Sequence, residues 1–174
     1  MRALADKTLV HRFMQAFGAA AQRSATVYFT GGATAVLLGW RPSTIDVDIT
    51  VVPDHDALFR AIPRLKEDLQ INVELASPAD FIPVKDGWED RSPFIAQEGR
   101  LSFRHFDLYA QALAKVERGH TQDVEDVREM VARRLVDPAA AIAYFEAIAP
   151  MLFRYPALDP QSFRRAVTAT FQRT

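Results

Sequence analysis

The sequence contains no cysteine. That excludes disulfide staples, thiol catalysis and thiolate-bound zinc or iron–sulfur sites, and it is compatible with a reducing compartment. A long apolar run is also missing. The longest stretch, Ala33 to Trp40, contains Thr34 and Gly39 and falls far short of the roughly 20 residues of a membrane helix, so no membrane partner is expected. Neither sign of charge is in excess: 21 Lys and Arg stand against 22 Asp and Glu, for a formal net charge of -1. No global field draws the chain onto DNA or an anionic membrane, and any nucleic-acid contact needs a local patch. Repeats and low-complexity tracts are absent. His11, His55, His105 and His120 lack HExxH-like spacing, so no zinc site is expected. Arg2, Asp6, Lys7, His11 and Arg12 break up the opening residues. The expectation is therefore a cytoplasmic protein with no secretory leader.

What remains is 174 residues, 49% of them hydrophobic, enough to bury a sizeable core. From about Leu4 to Ala21, apolar residues recur at helical spacing. Val27–Thr30 is a β-branched and aromatic strand that stops at Gly31-Gly32, and Ala33–Leu38 reads as a helix ended by Gly39. Ile45–Val52 alternates with a period of two and ends at Pro53, a strand signature. Asp54 opens a helix carrying Leu58, Ile62, Leu65 and Leu69, with a kink or division expected at Pro63. Ile71–Leu75 reads as a third strand. Ser77–Gly99 holds prolines and glycines amid aromatics and is too long for an ordinary connection, which suggests a functional loop containing short strands; Trp88 and Arg91 in it are candidates to stack on a base or to anchor the loop. Arg100–Phe106 reads as another strand.

Helices follow. The first is capped by Asp107 and ended by Gly119, the second buries Val124, Val127, Val131 and Leu135, and the third opens at Asp137-Pro138. Arg154, Arg164, Arg165 and Arg173 close the chain with only Asp159 as an opposing charge, as on a solvated amphipathic helix. The order implies an α/β (α+β) fold, a mixed sheet flanked by helices, with a core over residues 1–106 and a helical C-terminal region over 107–174 packed on it as one compact unit.

Chemistry concentrates at Asp46 and Asp48. Side chains at i and i+2 of a strand emerge on one face about 6.5 to 7 Å apart, while Ile45, Val47 and Ile49 point to the other. Two such carboxylates repel, and a divalent cation removes the penalty. Hard cations such as Mg²⁺ or Mn²⁺ take carboxylate oxygens together with substrate phosphates. A solvated acidic strand face is the competing account. Gly31 and Gly32 lie between strand and helix, where bare backbone can approach a phosphate. Arg41, Ser43 and Thr44 are donors for phosphate oxygens or, alternatively, ordinary turn residues. Glu74 interrupts an apolar strand and is a candidate third carboxylate around two metal ions, or a lone solvent-facing residue. The run Asp46-Val47-Asp48-Ile49-Thr50 also fits the Asp-x-Asp-x-Thr signature of haloacid-dehalogenase phosphatases, whose first Asp lies beyond a hydrophobic strand, but here the apolar run continues after Asp48.

With its glycine pair after one strand and its Asp-x-Asp on the next, "FTGGATAVLLGWRPSTIDVDITVV" resembles the DNA polymerase beta-type nucleotidyltransferase superfamily. Together with "INVELASPADFIPVKDGWEDRS" and "FDLYAQALAKVERGHTQDVEDV", it is most similar to the DUF6036-like nucleotidyltransferases, and more distantly to AbiEii-type toxin nucleotidyltransferases. The resemblance implies a mixed sheet with helices, two Mg²⁺ ions, and transfer of a nucleoside monophosphate from a nucleoside triphosphate such as ATP to an acceptor. The acceptor is a hydroxyl or similar group that the sequence leaves unidentified, RNA and protein being candidates, with a cognate antitoxin as a candidate partner. It assigns metal binding to Asp46, Asp48 and Glu74 and the phosphate-side turn to Gly31 and Gly32. It also implies a triphosphate clamp from Lys115 and Arg118, with Asp123 orienting Lys115. A noncatalytic binding module or toxin–antitoxin component is the alternative within the same fold.

Overall fold

The computed structural model describes residues 2–172 and is mixed α/β. Its elements are β1 (Ala5–Asp6), α1 (Lys7–Ala20), β2 (Ala25–Thr30), α2 (Gly32–Leu38), β3 (Ser43–Thr44), β4 (Asp46–Val52), α3 (Asp56–Leu69) and β5 (Asn72–Leu75). After a 3₁₀ turn at Pro78–Asp80 come α4 (Trp88–Arg91), β6 (Phe94–Glu98), β7 (Leu101–His105), α5 (Leu108–Arg118), α6 (Thr121–Ala132), α7 (Pro138–Ile148), a 3₁₀ segment at Ala149–Arg154 and α8 (Pro160–Phe171). The chain divides into two compact units. The first comprises Met1–Ser77 with Ser92–Phe106, the second Pro78–Arg91 with Asp107–Thr174.

The first unit is built on a five-stranded sheet in the order β5-β4-β2-β7-β6. The β2–β4 and β6–β7 pairs are antiparallel, whereas β2–β7 and β4–β5 are parallel. Alternation along β4 sends Val47, Ile49 and Val51 into the core beside Val27 and Phe29 of β2. Phe13 and Phe17 of α1 complete an aromatic cluster with Phe29 and Phe103, with ring centroids 5.0 Å apart for Phe13–Phe17 and 5.7 Å for Phe29–Phe103. Each such buried ring contributes about 1.5–3 kcal/mol of transfer free energy. That burial pins the register of β4 and with it the direction of every polar side chain on the opposite face.

Leu4 is 61% exposed rather than helical and packed, because Asp6 caps α1 by accepting from the Leu9 N–H at 2.8 Å. Ile45 is 71% exposed, since it falls between β3 and β4 and escapes the alternation that buries Val47 and Ile49. The break expected at Pro63 does not divide α3, which runs as one element of 14 residues. Burial of Leu58 and Ile62 holds together a turn that lacks one backbone hydrogen bond.

In the second unit α5 packs against α6, α7 and α8. The stretch read as a loop with short strands supplies the strand β6 to the first unit and the 3₁₀ turn and α4 to the second, where Arg91 anchors it: its Nε donates to Asp107 Oδ2 at 2.9 Å and its remaining nitrogens to the carbonyls of Asp86 and Lys85. Tyr144 completes this network, its hydroxyl donating to Asp107 and accepting from the Lys85 N–H. Burial, then the adjacent Asp107 charge, push the Tyr144 phenol up to about 12. The buried face of α6 differs from the expected one: Asp123, Asp126, Val127 and Met130 point inward and Val124 is exposed. On α8, Phe163, Val167 and Phe171 are buried, and Arg164 pairs with Glu146 of α7, a partner that sequence distance concealed. Arg173 lies outside the described residues.

Candidate active site

The register of the sheet assembles the acidic face. Asp48 on β4 lies opposite Thr30 on β2 and beside Glu74 on β5, so Thr30, Asp48 and Glu74 form one row across three strands. Asp46 lies beside Asn72 in the next row. Adjacent strands are about 4.8 Å apart, which brings Asp48 and Glu74 alongside each other at the backbone. Asn72 ties the two rows together: its Nδ2 donates to Asp46 Oδ1 at 2.6 Å and to Glu74 Oε1 at 2.9 Å. Asp46 and Glu74 therefore converge on a single nitrogen. Asp46 and Asp48 are partly buried, while Glu74 is exposed on the edge strand.

The glycine pair closes one end of this face, each glycine for its own reason. Gly31 has φ 63, a conformation that side chains disfavour, and a Cβ there would stand 3.1 Å from Asp48 Oδ2. Gly32 admits Thr44, whose Oγ1 would be 2.0 Å and whose Cβ would be 2.6 Å from a Cβ placed on Gly32. Thr44 is buried and its hydroxyl donates to the Asp46 carbonyl at 3.0 Å. The glycine turn thus braces the start of the acidic strand directly. The guanidinium of Arg41 comes to the same turn, with Nη1 3.3 Å from that Cβ position on Gly32. Ser43 lies in the short β1–β3 ladder opposite Asp6.

The donor set fits a hard divalent cation: three carboxylates on one sheet face, two of them already gathered by a shared hydrogen-bond donor. Among the described residues, however, no group of three or more His, Asp or Glu side chains is placed to hold an ion by itself. The fit is to an ion whose shell is completed by phosphate oxygens and water rather than to a cage of protein ligands. Asp46 opens β4 instead of following it. That position removes the phosphatase reading, which needs the first aspartate at the carboxyl end of a strand.

A family model described as a nucleotidyltransferase of unknown function (DUF6036) matches residues 8–168. The chain belongs to the DUF6036 family. No curated protein and no solved structure matches it.

Lys115, Arg118 and Asp123 of this DUF6036 chain lie in its second unit and form an ion cluster there. Lys115 is only 5% exposed; its Nζ is 2.8 Å from Asp126 Oδ2 and 3.6 Å from Asp123 Oδ1. Arg118 donates to both oxygens of Asp123, at 2.8 and 2.6 Å. Burial raises the Asp123 pKa, but the hydrogen bond and charge of Arg118, with help from Lys115, outweigh it and hold the carboxyl below its ordinary value. Two cations thus face two anions: Lys115, Asp123 and Asp126 are buried, and Arg118 reaches Asp123 from an exposed position. Lys115 and Asp123 also border a largely apolar groove of about 610 Å³, with Val116, Val127, Val131 and Ala169 on its walls.

Two residues escaped the sequence reading. Asn72 precedes Glu74 by two on a strand, the same i, i+2 signal that singled out Asp46 and Asp48. Asp126 follows Asp123 by three on a helix, and that spacing places it on the same face.

Proposed function

We propose that this protein is a Mg²⁺-dependent nucleotidyltransferase of the polymerase beta type, moving a nucleoside monophosphate from a nucleoside triphosphate to an acceptor hydroxyl. The observation that supports it best is the convergence of Asp46 and Glu74 on Asn72, with Asp48 in register beside Glu74 and against the Gly31 turn. Asp46 and Asp48 would hold the cation, with Glu74 as a further oxygen donor. Bound there, Mg²⁺ or Mn²⁺ would supply charge neutralisation at the phosphates and activate the acceptor oxygen. In the transfer the acceptor hydroxyl gives up its proton to water, a bond forms between its oxygen and the α-phosphorus, the bond from the α-phosphorus to the bridging oxygen breaks, and pyrophosphate leaves.

The chain's own part is to position and to exclude. Gly31 keeps a side chain away from the Asp48 carboxylate, Gly32 lets Thr44 lock the Asp46 backbone, and Arg41 brings a guanidinium to phosphate oxygens at the turn, with Ser43 as a nearby hydroxyl donor. Lys115 and Arg118, with Asp123, are assigned to triphosphate binding by resemblance, and nucleotide affinity tests that assignment separately. The acceptor is a macromolecular or small-molecule hydroxyl, RNA or protein included, and a cognate antitoxin belongs to the same proposal.

The lack of a three-acid cage among the described residues favours a second reading, a nucleotide-binding module without transfer. Calorimetric titration with ATP and the other nucleoside triphosphates, with and without Mg²⁺, tests both. Mg²⁺-dependent binding that is lost in Asp46→Asn and Asp48→Asn supports the site. Binding without label transfer to any acceptor class favours the module, and no binding rejects both.

A further inference from the structure

We propose that Asn72 is a positioning residue for the metal-binding carboxylates, its amide holding Asp46 and Glu74 in one arrangement and Arg2 fixing the amide; this rests on the metal-dependent reading above. One amide nitrogen carries two protons, and here each meets a different acid, Asp46 Oδ1 at 2.6 Å and Glu74 Oε1 at 2.9 Å. The amide oxygen faces the other way and accepts from Arg2 Nη1 at 2.7 Å. Chemistry admits only this orientation. A flipped amide would set its oxygen against two carboxylates and its N–H₂ against a guanidinium, which has no acceptor.

The arrangement has a hierarchy. Arg2 is itself placed by Glu67 Oε1 at 3.2 Å, and the neighbouring Ala3 N–H donates to the Gln70 carbonyl at 2.6 Å, so the N-terminal segment is fastened at the end of α3 immediately before β5. Glu74 is exposed on an edge strand, where a long carboxylate side chain otherwise samples several rotamers. The Asn72 bond selects one that directs it toward Asp46. A hydrogen-bonded carboxylate keeps further oxygen lone pairs for a cation, so holding it in place and binding metal are compatible.

The experiment measures binding of Mn²⁺, alone and together with a nonhydrolysable ATP analogue, by electron paramagnetic resonance and calorimetry. Asn72→Ala, with circular dichroism unchanged, is expected to weaken Mn²⁺ about tenfold or more, the usual cost of losing a partner that orients metal ligands. Arg2→Lys keeps the charge but loses the planar fork, and is expected to weaken Mn²⁺ by roughly two- to threefold in the otherwise native chain and not at all in the Asn72→Ala background. A Mn²⁺ dissociation constant for Asn72→Ala within about twofold of native, where Asp48→Asn abolishes binding, overturns the proposal and leaves the metal-dependent reading standing. Failure of the native protein to bind Mn²⁺ with or without nucleotide removes that reading and this proposal with it. Should Asn72→Ala not fold, unchanged Mn²⁺ affinity in Arg2→Lys rejects the proposal.

Discussion

Gly32→Ala separates helix propensity from packing at the turn that carries the acidic strand. On propensity alone, alanine in a helical position is favoured over glycine by up to about 1 kcal/mol, so an open site predicts a more stable protein. Gly32 is not an open site. The new Cβ would stand 2.0 Å from Thr44 Oγ1 and 2.6 Å from Thr44 Cβ. Thr44 is 9% exposed, lies in the β1–β3 ladder opposite Ala5, and bonds the Asp46 carbonyl at 3.0 Å, so it cannot swing away without disturbing the start of β4. Forcing extra volume into such a position costs typically about 1–3 kcal/mol, which exceeds the propensity gain. The expected net effect is destabilisation of about 1–2 kcal/mol, or a loss of roughly 2–8 °C in Tm for a chain of this length. Urea denaturation of native, Gly32→Ala, Thr44→Gly and the double variant forms a thermodynamic cycle. Because Thr44→Gly removes both clashing atoms, Gly32→Ala in that background is expected to be neutral or stabilising. Stabilisation by Gly32→Ala alone, or equal destabilisation in both backgrounds, would refute the argument that Gly32 exists to admit Thr44.

Lys115→Ala leaves Asp126, which is 0% exposed, without the ammonium 2.8 Å away; a loss of about 3–5 kcal/mol is expected by chemical denaturation, against at most about 1 for a surface pair, and a loss below 1 would contradict the burial. If Lys115 also meets triphosphate, the milder Lys115→Arg, folded, raises the nucleotide Kd severalfold, while an unchanged Kd removes Lys115 from the nucleotide-binding set. Burial against the core lowers the His105 pKa from 6.5 to about 4. Above pH 6.5 the ring is neutral in both folded and unfolded chains and adds no pH dependence. Between pH 6.5 and about 4 only the unfolded chain gains the proton, so this residue removes up to about 3 kcal/mol of stability as pH falls. An imidazole NMR signal from His105 that titrates near pH 6.5 would contradict this.

The strands were legible where one face is buried and the other is not. From Asp46 to Val52 the alternation matches β4, and the same pattern placed Asp46 and Asp48 on one face, while Ile45, one residue earlier, lies outside the strand. The stops at Gly39 and Gly119 have φ of 98 and 70, the conformation that makes glycine a helix terminator. Asp107 caps α5 as expected, accepting from the Tyr109 N–H. What stayed hidden depends on partners distant in sequence. β1 and β3 have two residues each and exist only through each other. The inward face of α6 joins two acids to the apolar Val127 and Met130: the buried ammonium on α5 pairs with Asp123 and Asp126, and Val124 is left outside. Likewise the bond from Asn72 to Asp46 joins residues 26 positions apart, and only the parallel β4–β5 register makes it visible.

The most direct test of the central claim is transfer of label from α-phosphate-labelled nucleoside triphosphates, with Mg²⁺, to RNA and protein fractions by the native protein, Asp46→Asn and Asp48→Asn. Mg²⁺-dependent transfer by the native chain is expected, at least about a hundredfold lower in each variant, with both variants folded and as stable as native or slightly more so, since a repulsive acidic pair has been relieved. Label transfer that persists at the native rate in a folded Asp48→Asn protein, or that is indifferent to Mg²⁺, would contradict it.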